Sequence, residues 1–199
     1  MERLIIKYLI GHIDNYSEQD IDSFYNKMPH VKKDKISKMK NTIARKRSVI
    51  GEMLLSKLVT NYQNLEYSIN HYGKPYYNNY NYYFNISHSY DYVVTVVSKK
   101  EIGIDIEKIR KTSLNSIHYF ATAKEQEYIL SSTHNIEERL FKIYTLKEAY
   151  FKMLGTNLDH VLDIEFIIEG DSITCSDSNI TVGFIHDIDG YIISYCERK

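Results

Sequence analysis

Residues 84–107, FNISHSYDYVVTVVSKKEIGIDIE, contain short runs rich in β-branched and aromatic residues, which is typical of β-strands. The runs at residues 82–86, 92–97 and 102–106 predict three strands. The polar tetrapeptide at residues 98–101 lies between the second run and the third. We expect the chain to divide here, because the order of helical and strand patterns begins again after it.

Helical patterns precede strand patterns on both sides of this junction. On the N-terminal side a first strand is predicted at residues 4–10, and Ser17 is suited to cap a helix whose face carries Ile21 and Met28. A repeated order of this kind predicts an α+β fold with two halves, residues 1–100 and 101–199. The remaining predicted helices are residues 41–62, 124–130 and 137–154, and the remaining predicted strands are residues 65–69, 164–168, 180–185 and 191–195.

Composition places the chain among ordinary globular proteins. Of 199 residues, 25 are Lys or Arg and 26 are Asp or Glu, which gives a net charge of −1 and excludes a polycation or an acidic tail protein. The apolar fraction of 43% excludes a disordered chain. Lys7 interrupts the apolar start and the sequence has no apolar run of about 18 residues, so we expect a cytoplasmic protein without a membrane span.

The pentapeptide GIDIE at residues 103–107 places two carboxylates on one face of a strand. Side chains alternate along a strand, so Asp105 and Glu107 share one face while Ile104 and Ile106 share the other. Two adjacent carboxylates suit a hard cation such as Mg²⁺. The alternative is an amphipathic strand with a solvated acidic face.

The hexapeptide FNISHS at residues 84–89 places His88 between Ser87 and Ser89 at the end of a predicted strand. These side chains could donate hydrogen bonds to a phosphate. The alternative is a structural or exposed histidine. The sequence has no G-x-S-x-G motif, which argues against serine hydrolase chemistry.

The predicted helix at residues 144–152, YTLKEAYFK, places Glu148 and Lys152 four residues apart and therefore on one face. They could supply a third carboxylate and a phosphate-binding cation. The alternative is a surface ion pair worth a few tenths of a kcal/mol.

A basic stretch at residues 32–47 attracts anions, either a nucleic acid or a nucleotide with several phosphates, unless it is only a solvated helix face. Lys74 adds a cation on a Gly-Lys-Pro turn. Taken together, the motifs describe phosphoryl-type transfer from a nucleotide-like donor. The basic stretch contains eight positive residues against one Asp: Lys32, Lys33, Lys35, Lys38, Lys40, Arg45, Lys46 and Arg47.

With these motifs in this order, the sequence resembles the 4'-phosphopantetheinyl transferases of the surfactin-synthetase-activating type. The resemblance covers nearly the whole chain. It includes residues 47–55, the turn at residues 73–75, FNISHS, GIDIE, and residues 144–152, which match the family helix W-[ST]-x-K-E-[AS]-x-x-K. Tyr144 departs from the family Trp, and we expect altered packing there rather than lost chemistry.

The resemblance implies transfer of the phosphopantetheine arm of coenzyme A to a serine of an apo acyl or peptidyl carrier protein, with release of adenosine 3',5'-bisphosphate. It implies that Asp105, Glu107 and Glu148 hold Mg²⁺ and that Glu148 also deprotonates the serine. It further implies phosphate contacts from His88, Ser87 and Lys152. Arg47 would bind the 3'-phosphate and Lys74 would lie near the adenosine, joined by at least one of Lys32, Lys33 and Lys35.

The resemblance also implies a pseudo-dimer of two similar α+β halves in one monomeric chain, with the active site in the cleft between them. The first half would bind the nucleotide, and the second would supply metal ligands and the catalytic helix. Two alternatives are a catalytically inactive coenzyme A-binding homologue and a small nucleic-acid-binding module. The net charge of −1 and the lack of a base-reading motif argue against the module.

Overall fold

The computed structural model describes residues 6–170 and 172–199. The chain separates into two compact units, Met1–Lys99 and Lys100–Lys199. Leu4 and Ile5, which belong to the first predicted strand, lie outside the described residues.

The N-terminal unit contains a three-stranded antiparallel sheet and a separate two-stranded hairpin. Its elements are β1 (Lys7–His12), α1 (Glu18–Lys27), α2 (His30–Ser37), α3 (Thr42–Leu58), β2 (Tyr67–Ile69), β3 (Pro75–Tyr77), β4 (Tyr83–Ser89) and β5 (Tyr92–Ser98). The sheet has the order β1–β5–β4, and β2 pairs with β3.

Helix starts in this unit follow the capping chemistry of the sequence. The Ser17 side chain accepts a hydrogen bond from the backbone of Asp20 at 3.1 Å, which confirms the predicted cap of α1. Asn41 caps α3 in the same way. The predicted helix at residues 41–62 ends earlier, at Leu58, because the backbone of Val59 is already extended, with φ −114° and ψ 142°.

The basic stretch does not form one continuous helix face. The helix α2 ends at Ser37 and α3 begins at Thr42, so the stretch is broken near its middle. Lys32 points inward and is only 2% exposed, whereas Lys35 is exposed. The idea of a solvated helix face is therefore wrong for Lys32.

The C-terminal unit repeats the topology of the N-terminal unit. Its sheet has the order β6–β10–β9, with the first strand of the unit at an edge and the last strand in the centre, as in β1–β5–β4. This repetition confirms the predicted α+β fold of two similar halves. Its elements are β6 (Ile102–Lys108), α4 (Ala123–Leu130), α5 (Ile136–Leu154), β7 (Phe166–Glu169), β8 (Ser172–Cys175), β9 (Ile180–Ile185) and β10 (Tyr191–Arg198).

The helix α5 packs directly on β6 at Gly103. A Cβ atom on Gly103 would lie 2.0 Å from the carbonyl oxygen of Ala149 and 2.4 Å from the backbone nitrogen of Met153. No residue with a side chain fits there without movement of the helix. The hydroxyl of Thr145 on α5 and the hydroxyl of Ser194 on the neighbouring strand β10 share a buried hydrogen bond of 2.5 Å. These two contacts fix the rotation of α5, which carries Glu148 and Lys152.

The short strands β3 and β8 are absent from the sequence prediction because, unlike β2 and β7, neither lies within a longer apolar run. Among the described residues, no helix combines the length and the apolar character that a bilayer crossing would need.

Candidate functional site

Asp105 lies on the face of β6 that is turned toward α5, the same face as Gly103. It is 4% exposed, and its Oδ1 accepts a hydrogen bond from Nζ of Lys152 at 2.6 Å. The alternative of a solvated acidic face therefore does not hold for Asp105. Because α5 holds Lys152 one turn after Glu148, this ion pair brings the GIDIE strand and the helix motif together.

Asp105, Glu107 and Glu148, named here the acidic triad, all act on the hydroxyl of Tyr144. Burial raises the pKa of Tyr144 well above its usual value, and the negative charges of the triad raise that pKa further. Tyr144 also forms a side-chain hydrogen bond with Glu148. The negative charges of all three carboxylates therefore reach the same phenol.

The ring of Tyr144 packs edge-on against Phe120, with 5.4 Å between ring centroids. Its hydroxyl gives this position a polar group that the indole of Trp would not place there in the same way. Tyr144 is thus packed like an aromatic core residue at one end and hydrogen-bonded to Glu148 at the other.

Two cations balance part of the negative charge of the triad. Lys152 pairs with Asp105, and Nη1 of Arg110 lies 2.9 Å from Oε2 of Glu107. Lys152 is about one-third exposed and Asp105 is buried, so the cation of this pair is the member that solvent can reach. An incoming phosphate oxygen could accept a hydrogen bond from Lys152 while Asp105 still holds it.

The donor chemistry of the triad fits Mg²⁺, which prefers carboxylate oxygens. Within residues 6–170 and 172–199, however, no three His, Cys, Asp or Glu side chains are arranged as a metal site. An ion would have to share Asp105 with Lys152 and Glu107 with Arg110. The assignment of Asp105, Glu107 and Glu148 as metal ligands therefore stays a prediction.

A buried ion pair supports the helix that carries these groups. Lys147, 1% exposed, lies 2.9 Å from Oε2 of Glu125, which is fully buried. Glu125 also accepts hydrogen bonds from the backbone of Phe166 at 2.8 Å and of Thr122 at 2.7 Å. Lys147 donates further to the carbonyl of Ile164. Sequence reasoning missed this pair, although the capping box formed by Thr122 and Glu125 was readable.

A cavity of about 220 Å³ lies in the N-terminal unit. It brings together His88 of the FNISHS motif and Lys35 of the basic stretch, with Pro75 at the turn. We call it the donor cavity, after the nucleotide-like donor that the sequence motifs predict. Its lining residues are Lys32, Lys35, Ile36, Met39, Ser48, Glu52, Tyr67, Pro75, Asn85, Ile86 and His88.

Arg47, Lys74 and Ser87 are not among the described residues that line the donor cavity. Each is the sequence neighbour of a lining residue: Ser48, Pro75 and His88.

Arg47 has a feature that suits an anion. In the part of the chain that the structure describes, its Nε is buried and has no hydrogen-bond partner. A buried donor left without a partner costs free energy, which a bound phosphate oxygen would recover.

Lys74 lies on a turn whose shape is set by its neighbours. Gly73 has φ +88°, a conformation that favours glycine, and Asn70 accepts hydrogen bonds from the backbone of Tyr72 at 3.0 Å and of Lys74 at 2.8 Å. The turn therefore presents Lys74 at the start of β3 from a fixed backbone.

Two family models match the chain, and together they cover most of it. The model described as 4'-phosphopantetheinyl transferase, N-terminal, matches residues 15–100. The model described as 4'-phosphopantetheinyl transferase superfamily matches residues 101–196.

Individual relatives carry the same description. The 4'-phosphopantetheinyl transferase gsp of Aneurinibacillus migulanus is 32% identical over 118 residues, 56% of this chain and 49% of that protein. The 4'-phosphopantetheinyl transferase ffp of Bacillus subtilis is 27% identical over 155 residues, 74% of this chain and 69% of that protein. The crystal structure of Thermotoga maritima holo-[acyl-carrier-protein] synthase matches with a TM-score of 0.42 and 21% identity, over 50% of this chain and 62% of that one. The chain thus spans about half the length of the gsp relative.

Proposed function

The chain belongs to the 4'-phosphopantetheinyl transferase superfamily, and on that premise we propose that it transfers the 4'-phosphopantetheine arm of coenzyme A to a serine of an apo acyl or peptidyl carrier protein. The observation that carries the proposal is the ion pair between Lys152 and Asp105 beside Glu148. It places a phosphate-binding cation next to carboxylates that can take a proton or hold a metal ion.

In the proposed reaction the serine oxygen bonds to the phosphorus that bears the pantetheine arm. The bond from that phosphorus to the bridging oxygen breaks, and its electron pair leaves with adenosine 3',5'-bisphosphate. The serine proton passes to Glu148, directly or through water. Glu148 is partly exposed and hydrogen-bonded to Tyr144, so it is held in place and remains accessible.

We assign the phosphate contacts to side chains of the helix motif at residues 144–152 and of the FNISHS motif. Lys152, His88 and Ser87 would donate to oxygens of the pyrophosphate, and charge-assisted bonds of this kind are the strong ones. Arg47 would bind the 3'-phosphate, which is consistent with its buried Nε. Lys74 would lie near the adenosine.

Mg²⁺ bound by the acidic triad would neutralise charge that develops on the pyrophosphate as the bond breaks. Lys152 has a related role that the chain performs itself. Because it pairs with Asp105, its ammonium is held beside the triad at a fixed position, and the cost of ordering it is paid before the donor arrives.

We further propose that the chain acts as a monomer in the cytoplasm, on carrier domains of peptide or polyketide synthases. Nucleic acid and membrane have no part in this function. The division of labour would be nucleotide binding by residues 1–100, and metal binding and catalysis by residues 101–199.

The test is the intact mass of an apo peptidyl carrier protein incubated with this protein, coenzyme A and Mg²⁺. We expect a gain of one phosphopantetheine arm, and no gain when EDTA is present or when Glu148→Gln replaces the wild type. Lys142→Ala is a matched control, since Lys142 forms an ion pair on the same helix with Glu138 at 2.7 Å.

Two results would contradict the proposal in different ways. Coenzyme A binding without transfer to any of several unrelated apo carriers would indicate an inactive homologue. Failure to bind coenzyme A at all would overturn the assignment of the donor.

A further inference from the structure

Lys32 is enclosed in a way that the other lysines of the basic stretch are not. Its Nζ forms an ion pair with Oε2 of Glu52 and donates to the hydroxyl of Tyr77 at 2.6 Å, with the hydroxyl of Tyr62 at 3.5 Å. An ammonium has three protons, so each has an acceptor within this group.

Aromatic rings complete the enclosure. The Nζ of Lys32 lies 5.0 Å from the ring centroid of Tyr62, 4.8 Å from that of Tyr67, 4.9 Å from that of Tyr77 and 5.8 Å from that of Phe84. Distances below about 6 Å place the cation in contact with the ring faces. We call Lys32, Glu52 and these four rings the lysine cage.

Glu52 is the reason that a cation is needed here. It lies on α3, it is 9% exposed, and it lines the donor cavity. Besides Lys32 it accepts a hydrogen bond from the hydroxyl of Tyr62 at 2.6 Å. Without Lys32, a buried carboxylate would face the cavity and repel any phosphate that entered it.

Lys35, three residues after Lys32 on the same helix, has the opposite exposure to solvent. It is exposed, and it lines the same cavity as His88. Since the charges of Lys32 and Glu52 cancel, Lys35 is the cation that an anion would meet in the cavity.

We propose that Lys32 is a positioning residue that neutralises Glu52 in the wall of the donor cavity and does not itself contact the donor, whereas Lys35 is the lysine that binds a donor phosphate. This inference rests on the proposed function, because it takes coenzyme A as the donor. It separates two lysines that the sequence presents as equivalent.

The pKa of Lys32 is consistent with this role. Burial lowers the pKa of its ammonium, and the charge of Glu52 opposes that shift. If Glu52 is replaced, Lys32 is left without the charge that keeps it protonated. Loss of Glu52 would therefore not release a cation for phosphate binding.

The test is a double-mutant cycle read by calorimetric titration with coenzyme A. We expect Lys32→Met to weaken coenzyme A binding at least about tenfold, because it exposes the donor to an uncompensated carboxylate. Adding Glu52→Gln should restore most of the affinity, although the lysine is still missing. Lys35→Met should weaken binding to a similar degree, and Glu52→Gln should not rescue it.

A second titration with dephospho-coenzyme A, which lacks the 3'-phosphate, separates a ligand from a positioning residue. We expect the Lys32→Met/Glu52→Gln variant to keep the wild-type preference for coenzyme A over dephospho-coenzyme A. A Lys32→Met/Glu52→Gln variant as weak as Lys32→Met would overturn the inference. So would Glu52→Gln alone if it bound coenzyme A more tightly than the wild type, because that would show a released phosphate ligand.

Thermal unfolding without any ligand tests the neutralising role of Lys32 independently of the donor. We expect Lys32→Met to lower the midpoint and the added Glu52→Gln to raise it again. If Lys32→Met alone does not fold, the affinity of the folded Glu52→Gln variant for coenzyme A still distinguishes a positioning role of Lys32 from a role as phosphate ligand. A wild type that binds no coenzyme A refutes the proposed function, whereas failure of the unfolding rescue refutes the neutralising role of Lys32.

Discussion

The contact between α5 and β6 at Gly103 makes Gly103→Ala an informative substitution. A single added methyl group would lie 2.0 Å from the carbonyl oxygen of Ala149 and 3.0 Å from the carbonyl carbon of Lys152. Both are backbone atoms of α5, so no side-chain rotation relieves the contact. The helix itself has to move.

The size of that movement follows from the distances. Ordinary contact begins at 3.4 Å, so α5 must retreat by about 1.4 Å, or the strand must bend away by a comparable amount. Overpacking of this kind costs about 1–3 kcal/mol of unfolding free energy, and occasionally more. The same movement carries Glu148 and Lys152 away from Asp105, and a misplacement of about 1 Å can cost about a hundredfold in rate.

The assay combines urea denaturation with the rate of carrier priming by the folded protein. Gly183→Ala is the matched control, since Gly183 is in β9 of the same unit and its added Cβ would lie 2.7 Å from the Tyr195 hydroxyl and 2.8 Å from the ring carbons. A side-chain ring can move, so we expect a smaller loss of stability and nearly normal priming. Gly103→Ala should lose both stability and rate.

The reasoning is refuted if Gly103→Ala unfolds within about 0.5 kcal/mol of the wild type and primes at the same rate, because surface substitutions stay within that range. Equal losses in Gly103→Ala and Gly183→Ala would also count against it. That outcome would show a general sensitivity of the sheet and no special approach of helix and strand.

Three further predictions concern single side chains of the C-terminal unit. Lys147→Met leaves the fully buried Glu125 without its cation, so we expect a loss of about 3–5 kcal/mol in urea unfolding, partly recovered by adding Glu125→Gln; no recovery would contradict the pairing. Lys152→Ala should lower the priming rate far more than Lys142→Ala does, since Lys142 forms a helix-surface pair with Glu138 worth about 0.3–0.5 kcal/mol; equal rates in the two variants would remove Lys152 from the site. Burial and the acidic triad raise the pKa of Tyr144, so between pH about 10 and the raised pKa the native state keeps the phenol proton that the unfolded chain loses. The contribution of this proton to the unfolding free energy is complete below pH about 10 and is lost as the pH rises through the raised pKa. Tyr144→Phe should therefore flatten the fall of unfolding free energy above pH about 10, whereas Tyr119→Phe, at a residue that is 72% exposed, should leave it unchanged.

Local chemistry made the helix starts and the strand faces predictable. The capping side chains of Ser17 and Asn41 act on residues three positions away, so a short window contains both partners. Alternation along residues 103–107 likewise needs no knowledge of the rest of the fold. The acidic strand, the histidine motif and the helix motif could all be identified on that basis.

The partners of the buried lysines could not be found in this way. Lys32 reaches Glu52 and Tyr77, which lie 20 and 45 positions further along the chain. A run of lysines in sequence gives no sign that one of them is enclosed by such distant groups. The sequence shows Lys147 only as one position in a helix pattern. Its partner Glu125 belongs to another helix and precedes Lys147 by more residues than five helical turns contain.

Each unit has one buried lysine that is paired with a buried carboxylate and one lysine that solvent reaches. We expect the first kind to serve stability and the second kind to serve ligand binding. In the N-terminal unit Lys32 neutralises the buried Glu52, while Lys35 remains exposed at the donor cavity. In the C-terminal unit Lys147 neutralises the buried Glu125, while Lys152 remains partly exposed beside Asp105.

A buried lysine and its carboxylate partner form a pair without net charge, so the lysine has no charge to offer an anion. A lysine that solvent reaches can exchange water for a phosphate oxygen at little cost. Substitution of Lys35 or Lys152 should therefore change ligand affinity or rate more than unfolding. Substitution of Lys147 should change unfolding first, and its effect on rate should follow from movement of α5. If all of these substitutions lowered affinity equally and none changed the unfolding free energy, the difference in burial would have no functional meaning.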